Sequence, residues 1–173
     1  MKRKILIEPD PILRKKCAPL EKVDDDIRKL MKDMLETMYD APGIGLAAVQ
    51  IGILKRLVVL DVSKDENKKD FLFLINPEII SKSENSSVYE EGCLSLPGQF
   101  AEIERPAECF LKYIDLNGKE KKLKANGLLS TCIQHEVDHL NGVLFIDYLS
   151  KLKKDMIIKK LVKQKKDIER VVV

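Results

Sequence analysis

A regular apolar stripe between residues 25 and 41 is the first structural signal along the chain. Apolar side chains recur there at the i, i+3, i+4, i+7 spacing of one helix face; they are Ile27, Leu30, Met31, Met34, Leu35 and Met38. Asp24 suits the N-cap, since its side chain can accept a hydrogen bond from a free backbone N–H of the first turn. Ala41-Pro42-Gly43 then ends the helix. The pattern predicts a helix over residues 25–41 whose methionines fill a core.

The middle of the chain favours β-strands. Four runs are rich in aliphatic and aromatic residues: 56–62, 71–75, 88–96 and 109–115. The charged stretch 64–70 suits an exposed hairpin loop between the first two runs. Asn117-Gly118 is a strong tight-turn signal, and it leads from the fourth run into a strand over 119–124.

Two further helices are expected after the strands. Asn126 can cap a helix over about 127–140, which Asn141-Gly142 closes. From about residue 151 a tail follows whose apolar residues keep a helical spacing; they are Met156, Ile157, Leu161 and Ile168. The order of helix, antiparallel strands, helix and helix predicts an α+β fold. We expect antiparallel sheets packed around the helix over 127–140, with an N-terminal and a C-terminal helix.

Composition and length fit one globular domain. The chain has 173 residues, of which 45% are apolar and 34% charged, and this balance argues against disorder. No stretch approaches the roughly 18 consecutive apolar residues of a membrane helix. Residues 1–7 are basic and then briefly apolar, without a small-residue cleavage site, and make a poor signal peptide. We therefore expect a cytoplasmic protein with no membrane partner.

The four cysteines and the charge distribution add to this picture. In a reducing compartment Cys17, Cys93, Cys109 and Cys132 are expected as free thiols or metal ligands. Residues 151–170 carry nine Lys or Arg and three Asp or Glu, a local charge of +6, whereas the remaining chain carries 22 basic and 25 acidic residues. Such a basic tail is either a solvated amphipathic helix or a segment attracted to RNA.

The chain's two histidines, His135 and His139, lie four residues apart in the predicted second helix, with Glu136 beside the first. Both imidazoles therefore project from one helix face. A His-Glu-x-x-His sequence is typical of a metal site in which the Glu handles protons for a metal-bound water. The motif predicts metal-assisted hydrolysis.

A third protein ligand is needed, since catalytic sites of this kind usually have three protein ligands plus water. Without a further histidine it must come from Cys, Asp or Glu. Cys132 is seven residues, or about 10.5 Å of helix axis, from His139, too far for a short side chain to share the metal. Asp138 falls off the histidine face and is expected to make outer contacts. Cys93 is the better candidate, because Gly92 before it allows close backbone approach.

Three motifs in order then give a resemblance: GIGLAAVQ at 43–50, EGCLS at 91–95 and HEVDH at 135–139. Together they resemble the peptide deformylase family, which removes the formyl group from the N-terminal methionine of new bacterial proteins. The resemblance covers nearly the whole chain, from Pro9 to Ser150. It implies a single catalytic domain over 1–150, with 151–173 a basic C-terminal helix or tail rather than a separate domain.

The resemblance also implies a cofactor and catalytic roles. One divalent metal ion, expected to be Fe²⁺ with Zn²⁺ as the alternative, is held by Cys93, His135 and His139. Metal-bound water attacks the formyl carbonyl of an N-formyl-methionyl peptide. The Gln50 amide and the Leu94 backbone N–H donate hydrogen bonds to the formyl oxygen. Glu136 accepts the proton of the water and passes it to the departing amine.

Substrate-binding residues are implied in the same way. The methionine side chain is expected in a pocket made by Ile44, Tyr89, Leu128, Thr131 and Cys132, with Gly45 and Gly92 against the peptide backbone. Phe100 departs from the family, many of whose members have an arginine there that contacts the substrate backbone. Glu91 and Arg105 match a family ion pair that braces the Cys93 strand.

Two alternatives remain at this stage. A zinc endoprotease shares His-Glu-x-x-His but usually takes its third ligand downstream, where Glu169 or scattered aspartates are available. A non-catalytic, ribosome-associated protein would retain the metal site without turnover, although Gln50 and Glu136 are intact. The basic C-terminal helix makes the ribosome a partner to test in either case, because deformylases use a similar helix to dock near the exit tunnel.

Overall fold

Three α-helices and seven β-strands make up the part of the chain that the computed structural model describes, residues 1–172, with side chains described through residue 168. The helices are α1 (Asp25–Asp40), α2 (Gly127–Leu140) and α3 (Lys151–Val172). The strands are β1 (Gly45–Ala47), β2 (Leu57–Leu60), β3 (Leu72–Lys82), β4 (Ser86–Cys93), β5 (Leu96–Pro106), β6 (Glu108–Ile114) and β7 (Glu120–Asn126). Short 3₁₀ turns span Pro11–Arg14, Ala48–Ile51 and Phe145–Tyr148.

The strands form two antiparallel sheets. One has five strands in the order β1-β2-β3-β6-β7, and the other is the hairpin β4-β5. Helix α2 contacts both sheets. The predicted α+β fold, with antiparallel sheets around a central helix that carries His-Glu-x-x-His, is confirmed. Because β1 ends the larger sheet and β4 belongs to a two-stranded one, each has an unpaired edge.

Strand β2 is buried on both faces, because a helix packs against each side of the five-stranded sheet. Leu57 and Val59 lie in the cluster formed with the α1 methionines, whereas Val58 and Leu60 lie in the cluster formed with Ile133 of α2. This alternation follows from the two-residue period of a strand. Helices α2 and α1 therefore pack on opposite faces of the five-stranded sheet.

The helix predictions are confirmed within a residue or so at their ends. The Asp24 side chain accepts a hydrogen bond from the Ile27 backbone N–H at 2.9 Å, as its N-cap position predicts. The expected cap at Asn126 is wrong in one respect. Asn126 occupies the N-cap position of α2, but its side chain makes no capping hydrogen bond.

The strand predictions hold at their centres and are wrong at several boundaries. The exposed charged loop over 64–70 does join two paired strands, but the second of them, β3, runs on to Lys82 through irregular pairing beyond Ile75. The predicted run 88–96 is divided, since β4 ends at Cys93, Leu94 and Ser95 turn the chain, and β5 starts at Leu96. Strands β1 and β5 were not predicted.

The first half of α3 packs on the body of the protein. Leu161 is fully buried in a cluster with Leu96, Ile103 and Phe145, and the Lys154 ammonium lies 2.7 Å from the Asp147 carboxylate. Apolar burial of this kind fixes the helix to the hairpin β4-β5. Within the described residues, none of the helices combines the length and the apolar character needed to span a bilayer.

Candidate active site

The three predicted metal ligands come together at the end of β4. The Nε2 atoms of His135 and His139 are 3.2 Å apart, and the Cys93 Sγ lies 3.3 Å from His139 Nε2. One ligand atom from each of the three residues lies within 4.8 Å of the other two. The His pair extends from successive turns of α2, and the turn after β4 presents the thiol to them.

This donor set fits a divalent cation. Two imidazole nitrogens and a sulfur that face one another at these distances repel through their lone pairs unless a proton or a cation lies between them. Burial opposes protonation of His135, yet its hydrogen bonds with Cys93 and Glu91 raise its pKa to about 10, so the cluster attracts positive charge. Burial lowers the pKa of His139, with His135 adding to the effect, which keeps it the neutral imidazole that binds metals.

A buried network orients His135 from behind. The His135 Nδ1 lies 2.9 Å from a Glu91 carboxylate oxygen, so Nδ1 carries a proton and Nε2 faces the other two predicted ligands. Arg105 donates to both Glu91 oxygens, at 2.7 and 3.0 Å, and to Asp138 at 2.9 Å. The Tyr148 hydroxyl donates to the same Asp138 oxygen at 2.6 Å.

The network changes how two of these residues are interpreted. Burial opposes ionisation of Glu91, but hydrogen bonds from His135 and Arg105 lower its pKa, so the carboxylate is charged. Glu91 and Arg105 do form the expected ion pair. Glu91 also contacts His135, a predicted metal ligand, which the sequence interpretation did not include. The expected outer contacts of Asp138 are those with Arg105 and Tyr148.

The Glu136 carboxylate is buried beside the cluster. One of its oxygens has no hydrogen-bond partner among the described residues. Burial raises the pKa of Glu136 to about 7, which suits a group that takes up and releases a proton near neutrality. Gly45 makes room for it, since a Cβ there would lie 2.5 Å from the Glu136 Oε1.

Gln50 is fixed with its amide nitrogen toward the cluster. Its Oε1 accepts from the Ala47 backbone N–H at 2.9 Å, which determines the orientation of the amide. Its Nε2 then donates to the Ser95 hydroxyl at 3.1 Å and faces the Cys93 sulfur at 3.4 Å. Ser95 was not predicted from sequence, because nothing in EGCLS distinguishes a hydroxyl that holds an amide from one that caps a turn.

A cavity of about 590 Å³ opens over these groups. All the predicted substrate-binding residues line it, namely Ile44, Gly45, Tyr89, Gly92, Leu128, Thr131 and Cys132. Leu94 lines it as well, and so do residues that were not predicted, among them Pro97 and Gly98 of β5. The cavity lies between the unpaired edges of β1 and β4.

Cys132 lies in the wall of this cavity, outside the group of predicted ligands. Its sulfur lies 3.8 Å from the Ile44 carbonyl oxygen, and burial raises its thiol pKa well above the usual value. Among the described side chains, the metal-capable group contains Cys93 and not Cys132, in agreement with the reach argument. All four cysteines are free of disulfides.

Comparison with known proteins identifies a family. The family model for polypeptide deformylase matches residues 2–155 of the chain. The chain belongs to the polypeptide deformylase family. It is 63% identical over 163 residues to the peptide deformylase of Pelagibacter ubique, an alignment that covers 94% of this chain and 95% of the relative.

Solved deformylase structures have the same fold. The peptide deformylase of Ehrlichia chaffeensis superposes with a TM-score of 0.92 at 42% identity, covering 96% of this chain and 98% of that one. A structure of peptide deformylase from the same organism in complex with actinonin gives a TM-score of 0.88 at 44% identity and covers 94% and 97%. Family membership at these levels disfavours the endoprotease and the non-catalytic alternative. Glu169, the downstream ligand that a protease would use, lies outside the described side chains.

The Glu91–His135 contact carries a prediction for this deformylase. Glu91→Gln removes the charge that holds the Nδ1 proton, and we expect metal affinity to fall by about 10–100-fold, as is usual for the partner behind a metal-binding histidine. Competition with a chelator of known affinity measures this. The control is Glu102→Gln, an exposed carboxylate on β5. Equal affinities of the two variants would show that Glu91 only braces the strand.

Proposed function

We infer that the chain hydrolyses the N-formyl group of an N-terminal methionine and releases formate. The observation that carries this inference is the cluster of Cys93, His135 and His139 in a member of the deformylase family. Beside the cluster lies a Glu136 carboxylate oxygen that has no hydrogen-bond partner among the described residues. Hydrolysis of an amide needs an activated water, a proton carrier and donors for the carbonyl oxygen, and the site offers candidates for each.

Cys93, His135 and His139 would hold one divalent metal ion, and we propose Fe²⁺ as the working metal with Zn²⁺ as a substitute. When bound, the cation supplies Lewis acidity that lowers the pKa of water and polarises the formyl oxygen. A thiolate with two imidazoles suits either metal.

Glu136 is proposed to move the proton. Its carboxylate takes a proton from the attacking water and gives it to the methionine amine as the C–N bond breaks, so that formate and a free amino terminus result. A pKa near 7 lets the same oxygen act first as base and then as acid. Only 4% of Glu136 is exposed, so the carboxylate is largely shielded from bulk water.

Gln50 and Leu94 are proposed to stabilise the charge that develops on the formyl oxygen. The Gln50 Nε2 is pre-oriented by its contacts with Ala47 and Ser95. Donors held in place before the reaction stabilise an oxyanion without reorganisation, and losing one typically lowers kcat by about 10²–10³-fold. The Leu94 backbone N–H lies in the turn directly after Cys93, next to the same cluster.

The cavity accounts for binding of the peptide. We propose that the methionine side chain enters between Ile44, Leu128 and Cys132, whereas the peptide backbone lies between the free edges of β1 and β4. An extended chain can pair with an exposed strand edge by main-chain hydrogen bonds, and Gly45 and Gly92 let it approach closely. Tyr89 and Thr131 complete the pocket wall.

An anaerobic assay of formate release from formyl-Met-Ala-Ser, with iron added to metal-free protein, tests the proposed function. We expect turnover that depends on the added metal and stops with a chelator. Absence of formate from protein shown to hold one metal ion would overturn the proposal.

We propose further that residues 1–150 are the catalytic domain and that the activity is cytoplasmic.

We also propose that α3 docks on ribosomal RNA. The lysines beyond Leu161 are exposed and support docking. Deleting everything after Ser150 would uncover the partners of Leu161, so charge substitution is the cleaner test. Replacing Lys163, Lys165 and Lys166 by alanine should weaken ribosome co-sedimentation and flatten its salt dependence. The same replacement of Lys119, Lys121 and Lys122, at the start of β7 and just before it, should not. Equal effects of the two sets would contradict docking by α3.

A further inference from the structure

A second cavity, the α2–β3 cleft, lies against a different face of α2 from the one that carries the predicted ligands. Its volume is about 590 Å³, which is within the range of small-molecule sites. Three segments line it: residues 137–141 of α2, residues 76–82 of β3, and residues 16–19 near the N-terminus. None of its lining residues also lines the catalytic cavity. The cleft is therefore separate from the site of the proposed hydrolysis.

Arg56 lines the cleft and joins two of these segments. Its Nη1 donates to the Leu140 carbonyl at 3.2 Å, to the Asn141 side-chain oxygen at 3.0 Å and to the Cys17 carbonyl at 3.4 Å. The Cys17 backbone N–H donates to the same Leu140 carbonyl at 2.8 Å. These contacts hold the guanidinium in place before any ligand arrives, and all of the acceptors are uncharged.

Asn76 connects the third segment to the others. Its side chain pairs with both backbone groups of Leu20, since Oδ1 accepts from the N–H and Nδ2 donates to the carbonyl, each at 2.8 Å. Its backbone φ of 50° lies in the left-handed region, which asparagine tolerates better than most residues. The chain near the N-terminus is thereby fastened to the start of β3. The walls of the cleft are cross-linked, as is typical of pre-formed ligand sites.

The cations of the cleft have no carboxylate partner. Among the described residues, no ion pair includes any of the three that line it, namely Lys16, Arg56 and Lys82. Two carboxylates line the cleft as well, but Asp138 is already paired with a guanidinium, and only Glu78 remains. Three cations and one carboxylate leave a charge of +2. Because buried or half-buried charges are usually paired, this excess indicates an anionic ligand.

We propose that the α2–β3 cleft binds a phosphate dianion, as inorganic phosphate or as a phosphate monoester. A dianion balances the charge of the cleft, whereas a carboxylate or the phosphodiester of a nucleic-acid backbone carries only one charge. The Nε and Nη2 atoms of Arg56 make no hydrogen bond to the described residues. They form an edge with which a guanidinium binds phosphate bidentately, and the two lysines add point charges. The inference does not depend on the proposed hydrolysis.

Titration calorimetry of the zinc-loaded chain with phosphate tests the proposal. The solution has low ionic strength and a pH well above the second pKa of phosphate, about 6. We expect saturable binding of one inorganic phosphate. Dimethyl phosphate and acetate, which carry one charge, should bind about tenfold more weakly. Tighter binding of methyl phosphate would identify a monoester as the ligand, and the reverse would identify inorganic phosphate.

Substitutions locate the bound phosphate. Replacing Lys16 and Lys82 together by alanine should weaken binding by about tenfold, since each exposed ion pair contributes up to about fivefold. Replacing Lys15 and Lys55 together is the matched control, because both are exposed and neither lines the cleft. Arg56→Lys keeps the charge but loses the bidentate edge, so it should also weaken binding. If Arg56→Lys does not fold, the two lysine pairs still decide the result.

Backbone amide NMR of the zinc-loaded chain distinguishes the cleft from the catalytic metal. Phosphate should shift the amide signals of Asn76 and Asn141 more than those of Gly45 and Gly92. Shifts confined to the two glycines would place the phosphate in the catalytic cavity and overturn the proposal.

Three other results would also overturn it: no saturable binding, equal affinities of the two double variants, or dimethyl phosphate binding as tightly as phosphate. None of them bears on formate release. A chain that binds phosphate but releases no formate would contradict only the proposed function.

Discussion

Glu136→Gln should lower kcat for formyl-peptide hydrolysis by about 10²–10⁴-fold, the usual loss for a general acid/base. The amide matches the carboxylate in shape and fits the same space beside Gly45, but it cannot accept the proton of the attacking water. Since Glu136 is outside the ligand cluster, metal content should remain at one ion per chain. KM should change little.

The measurement combines steady-state formate release with metal analysis of the same sample. Glu102→Gln serves as the control, because it makes the same chemical change at an exposed position on β5. Retention of more than about a tenth of the activity by Glu136→Gln would rule out the proton-carrier role. A loss of metal together with activity would instead place Glu136 among the ligands.

Cys93→Ala should reduce metal affinity by more than about 100-fold, because even the loss of a hydrogen-bond partner behind a ligand costs about 10–100-fold. Two histidines would remain, and they leave the cation with too few protein donors for a stable site. Activity should fall to background at metal concentrations that saturate the unaltered chain.

Metal analysis after dialysis, and the thiolate-to-metal absorption of the cobalt-substituted protein, check this prediction. Cys132→Ala is the matched control for metal content, since it removes a thiol from the same cavity without touching the cluster. One equivalent of tightly bound metal in Cys93→Ala would point to a different third ligand.

The sequence patterns correctly predicted the features of the fold that depend on interactions between residues close together in the chain. Helix α1 follows from its apolar stripe and from the cap at Asp24, both of which act within a few residues. The pair His135 and His139 follows from helix geometry alone. The third ligand did not, because Cys93 reaches the pair only through the fold at the end of β4. The residues made Cys93 a candidate, and the resemblance implied the full set of three ligands.

The missed strands have a different cause. Strand β5 places Gln99, Ile103 and Arg105 inward, so two of its buried positions are polar, and Pro97 and Gly98 precede them. Such a run lacks the apolar alternation by which half-buried strands are detected. Arg105 is tolerated there because Glu91 compensates its charge from the neighbouring strand, a contact that periodicity along one strand cannot reveal.

The three residues of β1 were too few to give a periodic signal. Gly45, Leu46 and Ala47 form a strand because they pair with Leu60, Val59 and Val58 of β2. The active site also depends on a contact between distant parts of the chain. Gly45, which makes room for Glu136, lies 91 positions before it in sequence. Nothing near Gly45 along the chain indicates that a carboxylate will occupy the space of its missing side chain.

The donors of the cluster belong to two separate parts of the fold, the hairpin β4-β5 for Cys93 and helix α2 for the histidines. A cation bound between them would therefore act as a non-covalent cross-link between the small sheet and the central helix. Its binding free energy would stabilise the packing of the β4-β5 hairpin against α2, and loss of the metal would weaken that packing. Metal occupancy would in this way govern the rigidity of the substrate cleft as well as its chemistry.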